Sequence, residues 1–117
     1  MMYKLKFLLI ITVLQANICK KTDIPKDISK CIVEKIAEIK ADKVWNPPGS
    51  IWQYEYNEQT VYYIPSRCCD IPSILIDGNC NTICSPNGGF IGNGDGKCKD
   101  FFEKRRNEKL IWKDNRK

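Results

Sequence analysis

Carboxylates and thiols are the side chains here that could do chemistry. Asp70, Asp77, Asp95 and Asp100 surround a group of cysteines, Cys68, Cys69, Cys80, Cys84 and Cys98, and two carboxylates at the right separation could act as an acid/base pair. Nothing in the spacing singles out two of the four. Asp beside Gly, or just after a cysteine that starts a helix, is more often a turn or cap residue. The chain has no histidine, which excludes Ser/His/Asp and Cys/His nucleophile pairs and every His-containing zinc site. The expectation is a protein that is not an enzyme, with no catalytic residues and no cofactor.

The same cysteines could hold zinc without histidine. Zinc knuckles use paired Cys-x2-Cys steps, whereas here there is an adjacent pair, Cys68-Cys69, and a Cys-x3-Cys, Cys80 to Cys84. Disulfides are preferred and no metal is expected. Asn93-Gly94-Asp95-Gly96 resembles the start of a calcium loop. Counted from Asn93, however, the fifth position is Lys97, the sixth Cys98 and the twelfth Lys104, where an EF-hand needs an oxygen ligand, Gly and Glu. Asp95 is the residue to expect as a ligand in any non-standard calcium site; otherwise the glycines make consecutive tight turns.

Those residues lie in one stretch, Arg67 to Cys98, with five of the seven cysteines; its run Pro86 to Gly96 alone has five of the seven glycines. Such a composition marks a covalently stapled scaffold. With 117 residues there is room for one domain.

The elements that must position this stretch begin with a targeting segment. Lys4 and Lys6 form a basic n-region and Phe7 to Leu14 an apolar h-region, too short to span a bilayer. Residues 1–18 read as a signal peptide, 19–27 as a tether and 28–117 as a single stapled domain. Leu14-Gln15-Ala16-Asn17-Ile18-Cys19 is similar to the site at which bacterial lipoproteins are cut before a lipid-carrying cysteine, although Ile18 stands where Gly, Ala or Ser is usual. The competing cleavage follows Ala16 and releases a soluble protein. Lipidation at Cys19 is preferred because it leaves six cysteines, an even number, for pairing. Without Lys4 and Lys6 the charge falls from +5 to +3. The C-terminal basic residues are interleaved with acids, so no nucleic-acid partner is expected.

Ile28, Cys31, Ile32, Ile36 and Ile39 recur at helical spacing and predict an amphipathic helix over 28–41, ended by Asn46-Pro47-Pro48-Gly49. From Ile51 the period becomes two. Trp52, Tyr54 and Tyr56 share a face, and with Thr60 to Ile64 they predict a hairpin turning at Asn57-Glu58-Gln59, its aromatic face covered by the helix. Ser73 to Ile76 and Asn79 to Cys84 form a second hairpin around Asp77-Gly78. A short helix follows from Cys98 to about Arg106, and Leu110-Ile111-Trp112 could add an edge strand. The fold class is α+β: a small disulfide-rich domain with the N-terminal helix on an antiparallel sheet of about four to five strands and a short C-terminal helix.

Six cysteines (Cys31, Cys68, Cys69, Cys80, Cys84, Cys98) allow 15 pairings. Extended neighbours point to opposite faces, which disfavours Cys68 with Cys69. If 80 to 84 is a strand, its ends lie ~13 Å apart, beyond the ~7 Å a disulfide closes. Among the ten pairings left, Cys31 with Cys68 or Cys69 is favoured.

Cys31-Ile32, Val61-Tyr62-Tyr63, Cys68-Cys69-Asp70, Ile83-Cys84-x-Pro86-x-Gly88-Gly89-x-x-Gly92-x-Gly94-Asp95-Gly96-x-Cys98-x-Asp100-Phe101 and Ile111-Trp112 together resemble an uncharacterised domain-of-unknown-function family of small bacterial envelope proteins, commonly lipoproteins. The resemblance covers about residues 28 to 114. It implies a disulfide-rich fold and a place in the bacterial cell envelope, lipid-anchored, periplasmic or at the surface, or secreted; it implies no activity. The function expected is a non-enzymatic exported or membrane-anchored accessory domain, a monomer, binding a protein or glycan through the loop 85 to 97, with Pro86, Asn87, Gly88, Gly89, Asn93 and Asp95, or through an exposed part of the aromatic hairpin. A secreted hydrolase inhibitor using Gly88 to Lys97, and a carboxylate hydrolase, are the alternatives.

Overall fold

The computed structural model describes residues 24–117. The signal peptide 1–18, Cys19 and most of the 19–27 tether lie outside the described residues. Helix α1 runs Lys30–Ala41 and is followed by strands β1 (Ser50–Tyr56), β2 (Gln59–Ile64), β3 (Ile74–Asp77) and β4 (Thr82–Cys84), helix α2 (Phe101–Lys104) and strand β5 (Arg106–Lys113). The five strands form one antiparallel sheet in the order β4-β3-β2-β1-β5.

Each boundary has a local cause. At the N-cap, the Ser29 carbonyl accepts from the amides of Ile32 and Val33, and the Arg116 guanidinium donates to the carbonyls of Lys40 in the last turn and of the C-cap residue Asp42. Arg116 is itself held at 2.7 Å by the buried Asp114, so the C-terminal residues clamp the end of α1. Between β1 and β2, Asn57 and Glu58 both take positive φ, the two-residue turn whose twist matches a hairpin, and Gln59 already pairs with Tyr56.

The sheet is the middle of three layers. On one face Ile32, Ile36 and Ile39 of α1 pack on Ile51, Tyr62, Ile64, Ile76, Ile111 and Trp112, with Ile24 joining at the edge. β5 contributes two successive residues to this core because it shifts register opposite Ile51 and Trp52, a bulge at Ile111. On the other face Tyr54, Tyr56, Val61, Tyr63 and Leu75 pack on Phe101, Cys84 and Cys98. The expected cover for the aromatic face is therefore corrected: α1 lies over the opposite face, where β1 offers Ile51. The aromatic face is closed by fully buried Phe101, whose ring lies 5.5 Å from Tyr54, 5.4 Å from Tyr56 and 5.5 Å from Tyr63.

The disulfides join Cys31 to Cys80, Cys68 to Cys69 and Cys84 to Cys98. As expected, Cys80 and Cys84 are not joined to each other. Two expectations are corrected. Cys68 bonds its neighbour because residues 67–71 are not extended: the Arg67 and Ile71 backbones pair across a tight turn, and face alternation does not apply. Cys31 misses this turn because of the direction of α1. Arg67 lies beside Ile39 and Asp42 at the helix C-terminal end, and eight residues of helix put Cys31 ~12 Å away. There it meets Cys80, with Cα atoms 6.0 Å apart. The second hairpin also differs. Asp77-Gly78 is not a two-residue turn; the Asp77 carboxylate accepts from the amides of Asn79 and Asn81 and shapes a longer loop in which Cys80 takes positive φ and turns towards Cys31.

Candidate functional site

The loop between β4 and α2 is bracketed by Cys84–Cys98, Cα atoms 6.2 Å apart. Inside that staple, Asp95 latches the base. One carboxylate oxygen accepts from the Ser85 amide and the other from the Lys97 amide, each at 3.0 Å, while the Asp95 amide donates to the Ser85 carbonyl at 2.9 Å. The Lys97 amide, and after it that of Ser85, holds the Asp95 carboxyl below its ordinary value, so the latch is ionised at neutral pH. Both of its oxygens serve the fold.

Asn87 ties the loop to the sheet. Its side-chain oxygen accepts from the Tyr63 hydroxyl at 2.9 Å, its carbonyl from the amide and hydroxyl of buried Ser73, and its amide donates to the Ser73 hydroxyl. Gly88 presses on the 66–72 segment: a Cβ there would lie 2.5 Å from Ser66 Cβ. Gly94, with φ of +61°, leaves no room for a side chain against the Ser85 carbonyl. A glycine-rich loop is thus fixed at its base by a disulfide, a carboxylate and an amide.

The tip is different in character. Gly89 to Gly92 is a turn closed by the Gly92 amide on the Gly89 carbonyl, and it presents Phe90, 90% exposed, and Ile91, 82% exposed. With Asp70, Pro72, Gly89 and Asp95 they border a groove of about 360 Å³ between this loop and the 67–71 turn.

Of the loop residues expected from sequence, Pro86 is buried, Asn87 and Gly88 are half-buried scaffold, Gly89 begins the tip, and Asp95 is the latch; Asn93 is exposed beside the tip. Phe90 and Ile91 are the residues that sequence reasoning misses, although two large apolar residues inside a glycine run are an available signal. The other expected surface, the aromatic hairpin, is core: Tyr54 and Tyr56 are buried and Trp52 half-buried.

Three of the four carboxylates are occupied, while Asp70 stands exposed on the 67–71 turn. Asp77 and Asp95 hold backbone amides, and Asp100 accepts from the Tyr56 hydroxyl and pairs with Lys104 at 3.2 Å. All three are held below the ordinary carboxyl value: Asp77 by the Asn81 amide, Asp95 by the Lys97 amide and Asp100 by the Tyr56 hydroxyl. That is opposite to the elevation a general acid needs. Across the aromatic core, Tyr54 donates to Glu108 and lies under the Arg105 guanidinium; burial, then Glu108, pushes its phenol up to about 12. These contacts brace β1, α2 and β5.

Residues 37–114 match the family described as Domain of unknown function (DUF6970). No curated protein and no solved structure matches the chain. The match runs from the second half of α1, through the whole sheet and the latched loop, to the buried Asp114, and over that span the chain belongs to the DUF6970 family.

Proposed function

We propose that this is a non-enzymatic accessory domain, exported and either released or lipid-anchored at Cys19 in a bacterial cell envelope, that meets its partner through the tip of the 85–97 loop. One observation carries the reading: a stapled and latched base holding two large apolar side chains almost wholly in solvent. Neither side chain belongs to the core on either face of the sheet among the described residues, and a rigid presentation lowers the ordering cost of binding. The aromatic hairpin, buried, drops out as a second contact surface. The domain works as a monomer, since its long free edge, β5, carries Arg106, Lys109 and Lys113 and has Asn107 at positive φ in its second position, features that discourage edge-to-edge pairing.

Cells producing the native protein, fractionated and followed by intact mass, test the compartment. Processing at Asn17 or Cys19 supports export, a lipid-sized increment on Cys19 supports anchoring, and an unprocessed cytoplasmic chain contradicts both. Replacing Phe90 and Ile91 with serine should reproduce the cellular phenotype of deleting the protein without changing its fold; retained function would remove the loop from the account. Inhibition of a hydrolase is the second reading, favoured by the convex, disulfide-bracketed loop. It fails if a broad hydrolase panel is not slowed.

A further inference from the structure

Phe90 and Ile91 stand apart from every other large apolar side chain among the described residues. The next most exposed large ones, Leu110 and Val33, reach only 43% and 41%. Their turn is set in advance: the Gly88 amide donates to the Gly92 carbonyl, that of Gly92 to Gly89, and that of Gly94 to Gly88. The surroundings decide what could cover them. From Gly88 to Gly94 the seven residues are four glycines, Asn93 and the apolar pair, so the tip has almost no rim of side chains. A stable protein interface takes ~800 Å² and some 20–30 residues from each partner, whereas a Phe and an Ile together offer roughly 300–400 Å². A fluid apolar medium needs no matching rim. Along the loop and the 67–71 turn Asp70 and Asp95 offset Lys97 and Lys99, and Arg67 is stacked on the Trp45 ring, so little electrostatic attraction of either sign is built in.

We infer that Phe90 and Ile91 insert as an apolar wedge into the interfacial layer of a lipid bilayer and hold the loop end of the domain against the membrane, with no requirement for anionic lipid. This rests on the reading of the loop as contact surface, and names a lipid surface as what it contacts. Where Cys19 carries a lipid, the wedge adds a second contact of the same chain with the same membrane.

The test uses the full chain with vesicles of phosphatidylcholine alone and of phosphatidylcholine mixed with phosphatidylglycerol. A Phe90→Trp variant should shift its added emission to the blue on both vesicles and be quenched by bromine on the acyl chains, a readout of the tip whatever the N-terminal segment does. A Phe90→Asp/Ile91→Asp variant should partition about a hundredfold more weakly, about tenfold per apolar side chain. An unshifted, unquenched indole in the Phe90→Trp variant overturns the inference, as does wild-type partitioning of the double variant, or insertion seen only with phosphatidylglycerol and removed by salt. If the serine replacements of Phe90 and Ile91 abolish cellular function while the indole introduced by Phe90→Trp stays unquenched, the loop reading survives and the lipid surface does not.

Discussion

Removing the disulfides one pair at a time probes how the three layers are held. Cys31–Cys80 spans 49 positions and ties the start of α1 to the loop after β3, whereas Cys84–Cys98 spans 14 and closes the latched loop alone. Loop-closure entropy makes the first worth about 4 kcal/mol and the second about 3 kcal/mol. A domain this size has roughly 5–14 kcal/mol in total, so Cys31→Ala/Cys80→Ala should leave it marginal, with the urea midpoint lowered by ~2–4 M. Alanine at both positions avoids a free thiol. Cys84→Ala/Cys98→Ala should cost slightly less and should loosen the loop first, seen as faster amide exchange at Gly88 and Gly94 than in the sheet. Equilibrium unfolding by circular dichroism, with non-reducing peptide mapping of the wild type, is the assay. A wild-type midpoint for Cys31→Ala/Cys80→Ala would show that this bond does not hold the layers together, and a mapped bond from Cys31 to Cys68 or Cys69 would overturn the pairing.

Phe101→Ala empties the centre of the aromatic layer and should cost about 3–5 kcal/mol in the same unfolding assay, because Tyr54, Tyr56 and Tyr63 all lose a ring partner. At alkaline pH, Tyr54 should ionise near 12 in an ultraviolet titration. Its folded value lies above the unfolded one, so its contribution is whole below pH 10 and is lost as pH rises from 10 towards 12. In acid the sign reverses. Asp77, Asp95, Asp100 and Asp114 sit below the ordinary 3.8 when folded, so their stabilisation is present above about pH 4 and disappears as pH falls through the lowered values. Asp95→Asn should flatten that acid limb, measured as the urea midpoint against pH.

Local patterns in the chain were readable. The three-and-four spacing of Ile32, Ile36 and Ile39 identified the helix and its buried stripe, and the alternation from Ile51 to Ile64 identified the first hairpin, because both follow from backbone periodicity. Which sheet face receives the helix was not readable. Both faces of β1 and β2 are apolar, Ile51, Tyr62 and Ile64 on one and Tyr54, Val61 and Tyr63 on the other, and periodicity cannot rank them. The pairing of Cys31 depended on that choice and on the direction of α1, both set by long-range packing. The Cys68-Cys69 expectation assumed extension where the chain turns. β5 was seen only at its apolar end, Leu110 to Trp112, because Arg106 to Lys109 carry no alternation and pair through the backbone. At the loop, glycine and aspartate spacing marked the scaffold residues, while the tip pair was overlooked because exposure depends on the turn that lifts it clear.

A photo-crosslinking residue placed at position 90 of the full chain in living cells reports what the loop tip touches, with the same residue at Glu34 on the exposed face of α1 as control. An adduct, lipid or protein, is expected from position 90 and none from position 34, and it should be lost when Cys84 and Cys98 are both alanine and the tip is no longer held. Adducts from position 34 with none from position 90 would contradict the reading of the loop as contact surface.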